Sequence, residues 1–181
     1  MHVWLRMLAR WFMRVVFPSV KQLPTGQLAA WLAEPHRPPP LLLDVRQPAE
    51  FAVSHLPSAR RVDTFATVAD ILANVSPEQP IVCYCAAGFR SSLLARRLAR
   101  AGRRDVFNLE GAIFDWACEG RPLVNEHGAT QAVHPFNWMG RLMLPRQHCA
   151  AVPALRHKRT ATGHCQRRMV GYAARWLGHR S

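Results

Sequence analysis

The segment Pro80-Ile-Val-Cys-Tyr-Cys85-Ala-Ala-Gly-Phe-Arg90-Ser-Ser carries the groups in this chain best suited to covalent chemistry. Cys85 closes a short apolar run of strand type, three small residues follow, and a helical pattern starts at Phe89 or Arg90. Ala86, Ala87 and Gly88 have side chains too small to block their own N–H groups. The loop can therefore curl with several amides aimed at the Cys85 sulfur, as an anion cradle. The helix start adds unpaired N–H donors and the positive end of its dipole, and Arg90 adds a full positive charge. All three effects favour thiolate over thiol, which is the setting of a nucleophile. An inert thiol at the end of a buried strand is the plainer reading of any lone cysteine, but it gives no reason for a small–small–Gly–x–Arg loop. Cys83, two residues earlier on the same run, reads as such a core thiol, and Cys118, between Ala117 and Glu119, reads as structural. No metal is expected, because the C-x-C of Cys83 and Cys85 and the pairs His148-Cys149 and His164-Cys165 fit no standard zinc spacing. No nucleotide-binding loop, paired-carboxylate site or Ser-His-Asp order occurs, so no cofactor is expected.

The elements that must position this loop are short apolar runs alternating with helical patterns. Helices are expected at 27–33, 65–75, 91–101 and 112–118. Strands are expected at 41–45, where Leu41-Leu42-Leu43 runs into Asp44-Val45-Arg46, and at 59–62, 80–84 and 105–109. Continuous apolar strands linked by helices indicate a mostly parallel sheet covered on both faces, an α/β fold. Such sheets place their sites outside the carboxyl ends of the strands, which is where Cys85 falls. No internal repeat appears.

Composition sets the partners. Hydrophobic residues at 49% of 181 exclude global disorder. The net charge is +13, yet all 11 acidic residues lie between 34 and 126, so the basicity belongs to the two ends. That partition moves the suggestion of nucleic acid onto the tails, and nucleic acid is not the expected partner of the central region. Five cysteines in irregular spacing point to a reducing compartment. No stretch reaches the roughly 18 unbroken apolar residues of a membrane span, and a signal peptide's order is missing at the start. Over residues 1–17, Arg6, Arg10 and Arg14 share one helical stripe, with Trp4, Leu5, Leu8, Trp11, Phe12, Val15 and Val16 around the rest. Three readings stay open: contact with an anionic membrane surface, packing on the body of the protein or a second subunit, and a targeting leader. After Glu126, Val133 to Trp138 and Leu142-Met143-Leu144 are candidates for an apolar strap over the domain. From His148 onward only 169–177 suggests a helix, and the tail reads as a solvated extension.

Over roughly 20–124 the chain resembles the rhodanese-like sulfurtransferases in single-domain form. Cys85-Ala-Ala-Gly-Phe-Arg90 is similar to the family's C-x-x-G-x-R loop, and Leu43-Asp44-Val45-Arg46 with Glu50-Phe51 to its L-D-V-R…E-[FY] segment. Ser54-His55-Leu56-Pro57-Ser58-Ala59 resembles G-H-I-P-G-A, and Asn108-Leu109-Glu110-Gly111-Ala112…Trp116 resembles L-x-G-G…W. Each is weak alone, and four in order are strong. The resemblance implies a three-layer sandwich with a central, mostly parallel sheet. It divides the chain into an N-terminal basic amphipathic helix over 1–19, a rhodanese-like domain over 20–126 and a basic, partly disordered extension over 127–181.

The resemblance also implies a reaction. Cys85 takes a sulfane sulfur from thiosulfate or a persulfide donor and passes it to a thiol, to cyanide or to a protein persulfide partner. Ala86, Ala87, Gly88, Phe89 and Arg90 form the anion cradle, while Asp44, Arg46 and His55 anchor loops. The expected setting is the cytoplasm, with peripheral membrane contact through residues 1–17. The chain departs from the family at Ser54, Ser58 and Ala112, which stand where it has glycines, and at Ala86 and Ala87, where some thiosulfate-using relatives have basic residues. Two other functions compete. A non-enzymatic binding module tethered by its basic ends is one. A cysteine phosphatase or arsenate reductase is the other, although those use Cys-x5-Arg, one residue longer than the loop here.

Overall fold

A computed structural model describes residues 2–150 of the chain. The described residues form an α/β unit in three layers. Helix α1 (His2–Val16) leads into strand β1 (Lys21–Pro24) and α2 (Thr25–Ala33); β2 (Leu41–Asp44) is followed by α3 (Pro48–Val53), and β3 (Arg60–Arg61) by α4 (Val68–Leu72). Then come β4 (Ile81–Tyr84), α5 (Phe89–Arg100), β5 (Val106–Glu110) and α6 (Ala112–Cys118). A hairpin of β6 (Leu123–Asn125) and β7 (Gly128–Thr130), the short helix α7 (Trp138–Met143) and a 3-10 turn at Arg146–His148 complete it.

The five-stranded sheet runs in the order β1-β5-β4-β2-β3 with every pair parallel. Strand β4 lies at its centre, with Cys83 opposite Leu43 on one side and Asn108 on the other, and all four of its residues are buried. Side chains alternate along a strand, so β4 feeds two cores. Val82 and Tyr84 pack with Leu28 and Trp31 of α2 and Ile113 and Trp116 of α6. Ile81, Cys83 and Cys85 pack with Ile71 of α4 and Leu94 and Leu98 of α5. Helix α1 touches both cores, with Leu5 and Ala9 against the first and Met13, joined by Phe17 just after the helix, in the second.

Several elements differ from the sequence reading. The helix expected at 65–75 shrinks to Val68–Leu72, capped at Thr67, whose hydroxyl accepts from the Asp70 amide, and ended by Asn74 at φ 62°. β1 and the β6–β7 hairpin were not expected. Of the extension expected from 127 onward, the residues as far as 150 are described and folded. Val133 is buried, Met143 and Leu144 seal the first core, and His148 O accepts from the Val133 amide at 2.7 Å. The strap reading of Val133–Leu144 therefore describes what is seen. The helix suggested at 169–177, with the rest of 151–181, lies outside the described residues.

The departures from glycine split. Ser58 and Ala112 hold left-handed backbone, at φ 61° and 52°, a conformation that strains residues with a Cβ. Ser54 is extended at φ −170° and carries no such strain. Gly111, just before Ala112, is required twice over. Its φ is 73°, and a methyl group there would sit 1.7 Å from Asp115 Oδ2.

Candidate active site

Cys85 stands at the carboxyl end of the central strand, with its side chain in the α4–α5 core and only 2% exposed. Gly88 turns the chain from loop to helix at φ 107°, which a residue with a side chain rarely adopts. There its N–H donates to Cys85 Sγ at 3.1 Å. Ser91, in the first turn of α5, places its hydroxyl 3.4 Å from the same sulfur. Ser92 Oγ donates to Gly88 O at 2.8 Å and holds the turn from below. The first turn of α6 fixes the loop from the other side, with Ile113 N donating to Cys85 O and Phe114 N to Ala86 O. The cradle is thus narrower than expected. Among the described backbone amides that of Gly88 is the one that bonds the sulfur, while Ala86, Ala87 and Phe89 shape the loop. Ser91 is the donor the sequence reading missed, although it follows Arg90 directly. Cys83 is fully buried behind the site, and burial pushes its thiol up, as befits a core residue.

Arg90 is not the free positive charge expected. Its Nη1 and Nη2 donate to Glu50 Oε2 and Oε1 at 2.8 and 2.9 Å, a fork-to-fork pair. Glu50 is buried and also accepts from Gln47 N. Glu50 and Cys85 both raise the pKa of this guanidinium against the cost of its burial. Arg90 therefore sits between the Glu50 carboxylate and the Cys85 side chain, and its charge is shared. The ring of Phe136, reaching over from the strap, lies 4.4 Å from its Cζ, and Phe136 holds φ 64° to do so. His134 is close by, and burial lowers its pKa. Neither strap residue was singled out for this place, since both lie outside the segments that carry the motifs.

Burial pushes the Glu50 carboxyl up, but the Arg90 pair together with the Gln47 amide and Arg46 outweighs it and holds the group below its ordinary value. The sign follows from linkage. A carboxyl depressed by folding adds stability that is fully present above its unfolded pKa, about 4.3, and is lost as pH falls through the folded value. Glu50→Gln is therefore expected to be less stable than the parent at neutral pH and to lose less on acidification below about pH 4. Denaturant midpoints across pH 3–7 check this.

Asp44 and Arg46 form a fully buried pair next door, with Nη2 on Oδ2 at 2.8 Å and the Arg46 amide on Oδ1 at 2.9 Å. Arg46 also donates to the carbonyls of Glu50 and Ser54. It thus pins α3 and the loop after it to the end of β2. His55 bonds Phe51 O through Nδ1 at 3.1 Å, stacks on the Phe51 ring at 3.9 Å, and bridges to Val124 through its backbone. None of the three has a hydrogen bond to Cys85 among those described, and all tie loops together.

The basic stripe of α1 packs against the body of the protein, one of the three readings left open for this helix. Arg6 Nε and Arg10 Nη2 meet the two oxygens of Asp115 at 2.6 and 2.5 Å, and Arg14 forks onto Glu110 at 2.8 and 3.1 Å. Arg6 also donates to Cys118 Sγ at 2.9 Å. Met13 packs close to the site itself, since its Cγ lies 3.4 Å from where a methyl group on Gly88 would be.

The model for the rhodanese-like domain matches residues 27–119. A sulfurtransferase of Allochromatium vinosum is 33% identical over 88 residues, which cover 49% of this chain and 81% of that protein. A tRNA uridine(34) hydroxylase of Protochlamydia amoebophila is 34% identical over 112 residues, but these span only 31% of its length. The crystal structure of the BH2092 protein from Bacillus halodurans superposes with a TM-score of 0.52 at 21% identity, covering 66% of this chain and 85% of that one, a likeness of fold. On the match of the family model to half the chain, and on a relative of which it covers most, this protein belongs to the rhodanese-like domain family.

Proposed function

We propose that the protein is a sulfurtransferase that carries a sulfane sulfur on Cys85. The observation that supports this best is the seating of the Cys85 sulfur under the Gly88 amide and the Ser91 hydroxyl at the positive end of α5. Donors fixed in that way stabilise an anionic sulfur without reorganising during the reaction. In the first half-reaction the Cys85 thiolate attacks the outer sulfur of the donor. The new Sγ–S bond forms as the donor's S–S bond breaks, and sulfite or a thiolate leaves with the electron pair. In the second, a thiol or cyanide attacks the outer persulfide sulfur, and Cys85 returns as thiolate. No external oxidant or reductant is needed.

The surroundings of Arg90 favour a persulfide over thiosulfate as donor. A dianion meets a guanidinium already paired with Glu50 and covered by Phe136, and the loop offers Ala86 and Ala87 in place of further cations. The working compartment is then one that keeps Cys85 reduced, as the cytoplasm does. Thiocyanate formation in the presence of cyanide tests the reading. Turnover is expected with both donors and faster with a small persulfide, while an aryl phosphate is left intact. Phosphate release without thiocyanate would overturn it.

A further inference from the structure

Helix α1 is amphipathic in an unusual sense, because its charged stripe is turned to the protein and its largest apolar side chains to the outside. Arg6, Arg10 and Arg14 are held by Asp115 and Glu110, of which Asp115 is almost fully buried. These pairs set the rotation of the helix. They leave Trp4, Leu8, Trp11 and Val15, spaced i, i+4, i+7 and i+11, along an outer stripe, with Trp4 75% and Trp11 61% exposed. Helix α7 packs beside α1 and adds exposed Trp138 and Met139. A row of this size with nothing over it among the described residues marks an interaction surface.

We propose that this face of α1 seats in the interface of an anionic lipid bilayer. Fifteen residues make a helix about 22 Å long, too short to cross a hydrocarbon core of about 30 Å, and among the described residues no helix is long and apolar enough to do so. It would lie in the plane of the surface. Exposed tryptophans on an otherwise aliphatic row suit the headgroup boundary, where an amphipathic ring finds both apolar and polar surroundings. Charge selects the occupant. The chain carries +13, and residues 127–181 contain basic groups and no acid. Two copies pressed face to face would repel, whereas an anionic surface attracts the net positive charge of the chain. Lipid attraction then comes from the apolar row and the chain's net positive charge, while the α1 arginines serve the fold. Because Met13 on the inner side of α1 packs against the Gly88 turn, docking holds the Cys85 loop about one helix diameter, roughly 10 Å, from the lipid. The proposal stands independently of what Cys85 transfers.

The test is co-sedimentation of the full chain with phosphatidylcholine vesicles, with and without phosphatidylglycerol. Binding is expected with phosphatidylglycerol and is expected to weaken as salt rises. The triple variant Trp4→Ser, Leu8→Ser, Trp11→Ser keeps every ion pair of α1 and is expected to melt like the parent while binding at least about tenfold more weakly. A parent chain that stays in the supernatant, or a triple variant that binds as the parent does, would overturn the proposal. So would a parent dimer that the triple variant converts to monomer without any lipid binding, since the face would then belong to a second copy.

Discussion

Cys85→Ser is expected to lower thiocyanate formation at least about 1,000-fold while leaving the fold intact. Serine is nearly the shape of cysteine, and its oxygen can accept the same bonds from the Gly88 amide and the Ser91 hydroxyl. The 2%-exposed position therefore needs no repacking. What serine lacks is the chemistry, since its hydroxyl stays protonated near neutral pH and an alkoxyl oxygen forms no persulfide. The two halves of the prediction are read separately, by initial rates and by thermal melting. A melting temperature like the parent's together with lost turnover places the effect in the reaction. Cys83→Ser provides the contrast. It puts a hydroxyl into a fully apolar core and is expected to cost stability first.

Arg46→Met is expected to cost about 3–5 kcal/mol of folding stability, the range for breaking a buried charge pair from one side. In a chain of this size that corresponds to a fall of roughly 10 °C in melting temperature. The reason is local and complete. Removing the guanidinium leaves the Asp44 carboxylate buried without its charge partner and frees the carbonyls of Glu50 and Ser54 from their donor. The loss does not stop at stability. Glu50 clamps Arg90 and is positioned by the turn that Arg46 holds, so turnover is expected to fall as well, through the placement of Arg90. Arg46→Lys keeps the charge without the planar fork and is expected to fall between parent and methionine variant. Combining Arg46→Met with Asp44→Asn removes the unpaired charge and is expected to restore part of the loss. Denaturant midpoints of the four chains measure each step.

The parts of the site that sequence makes legible are those in which neighbours along the chain are neighbours in space. β4, the loop and the first turn of α5 are contiguous, so Cys85, Gly88 and Arg90 could be placed from order alone. The apolar run at 41–44 and the helix at 112–118 followed from periodicity. The Asp44–Arg46 anchor was legible only through the family resemblance, which implied the loop-anchoring role that the buried pair fits. The Glu50–Arg90 clamp was not legible, since 40 residues separate its halves and no spacing rule links them. Direction was equally hidden in α1. Periodicity groups Arg6, Arg10 and Arg14 on one stripe but does not say which way that stripe turns. The answer lies in Asp115 and Glu110, about a hundred residues on. β1 escaped notice because Lys21-Gln-Leu-Pro24 buries one apolar side chain at a sheet edge and ends in proline. At Ser58 and Ala112 the family pattern anticipated the left-handed backbone. At Ser54 it did not, because the chain there is simply extended.

The central claim is that Cys85 holds the sulfur. Intact-protein mass after incubation of the full chain with a small persulfide, and separately with thiosulfate, tests it most directly. The account predicts a gain of one sulfur atom, located on the peptide that contains Cys85, removed by cyanide and larger with the persulfide. Folded protein whose Cys85 reacts with an alkylating reagent but which gains no sulfur from either donor would contradict it.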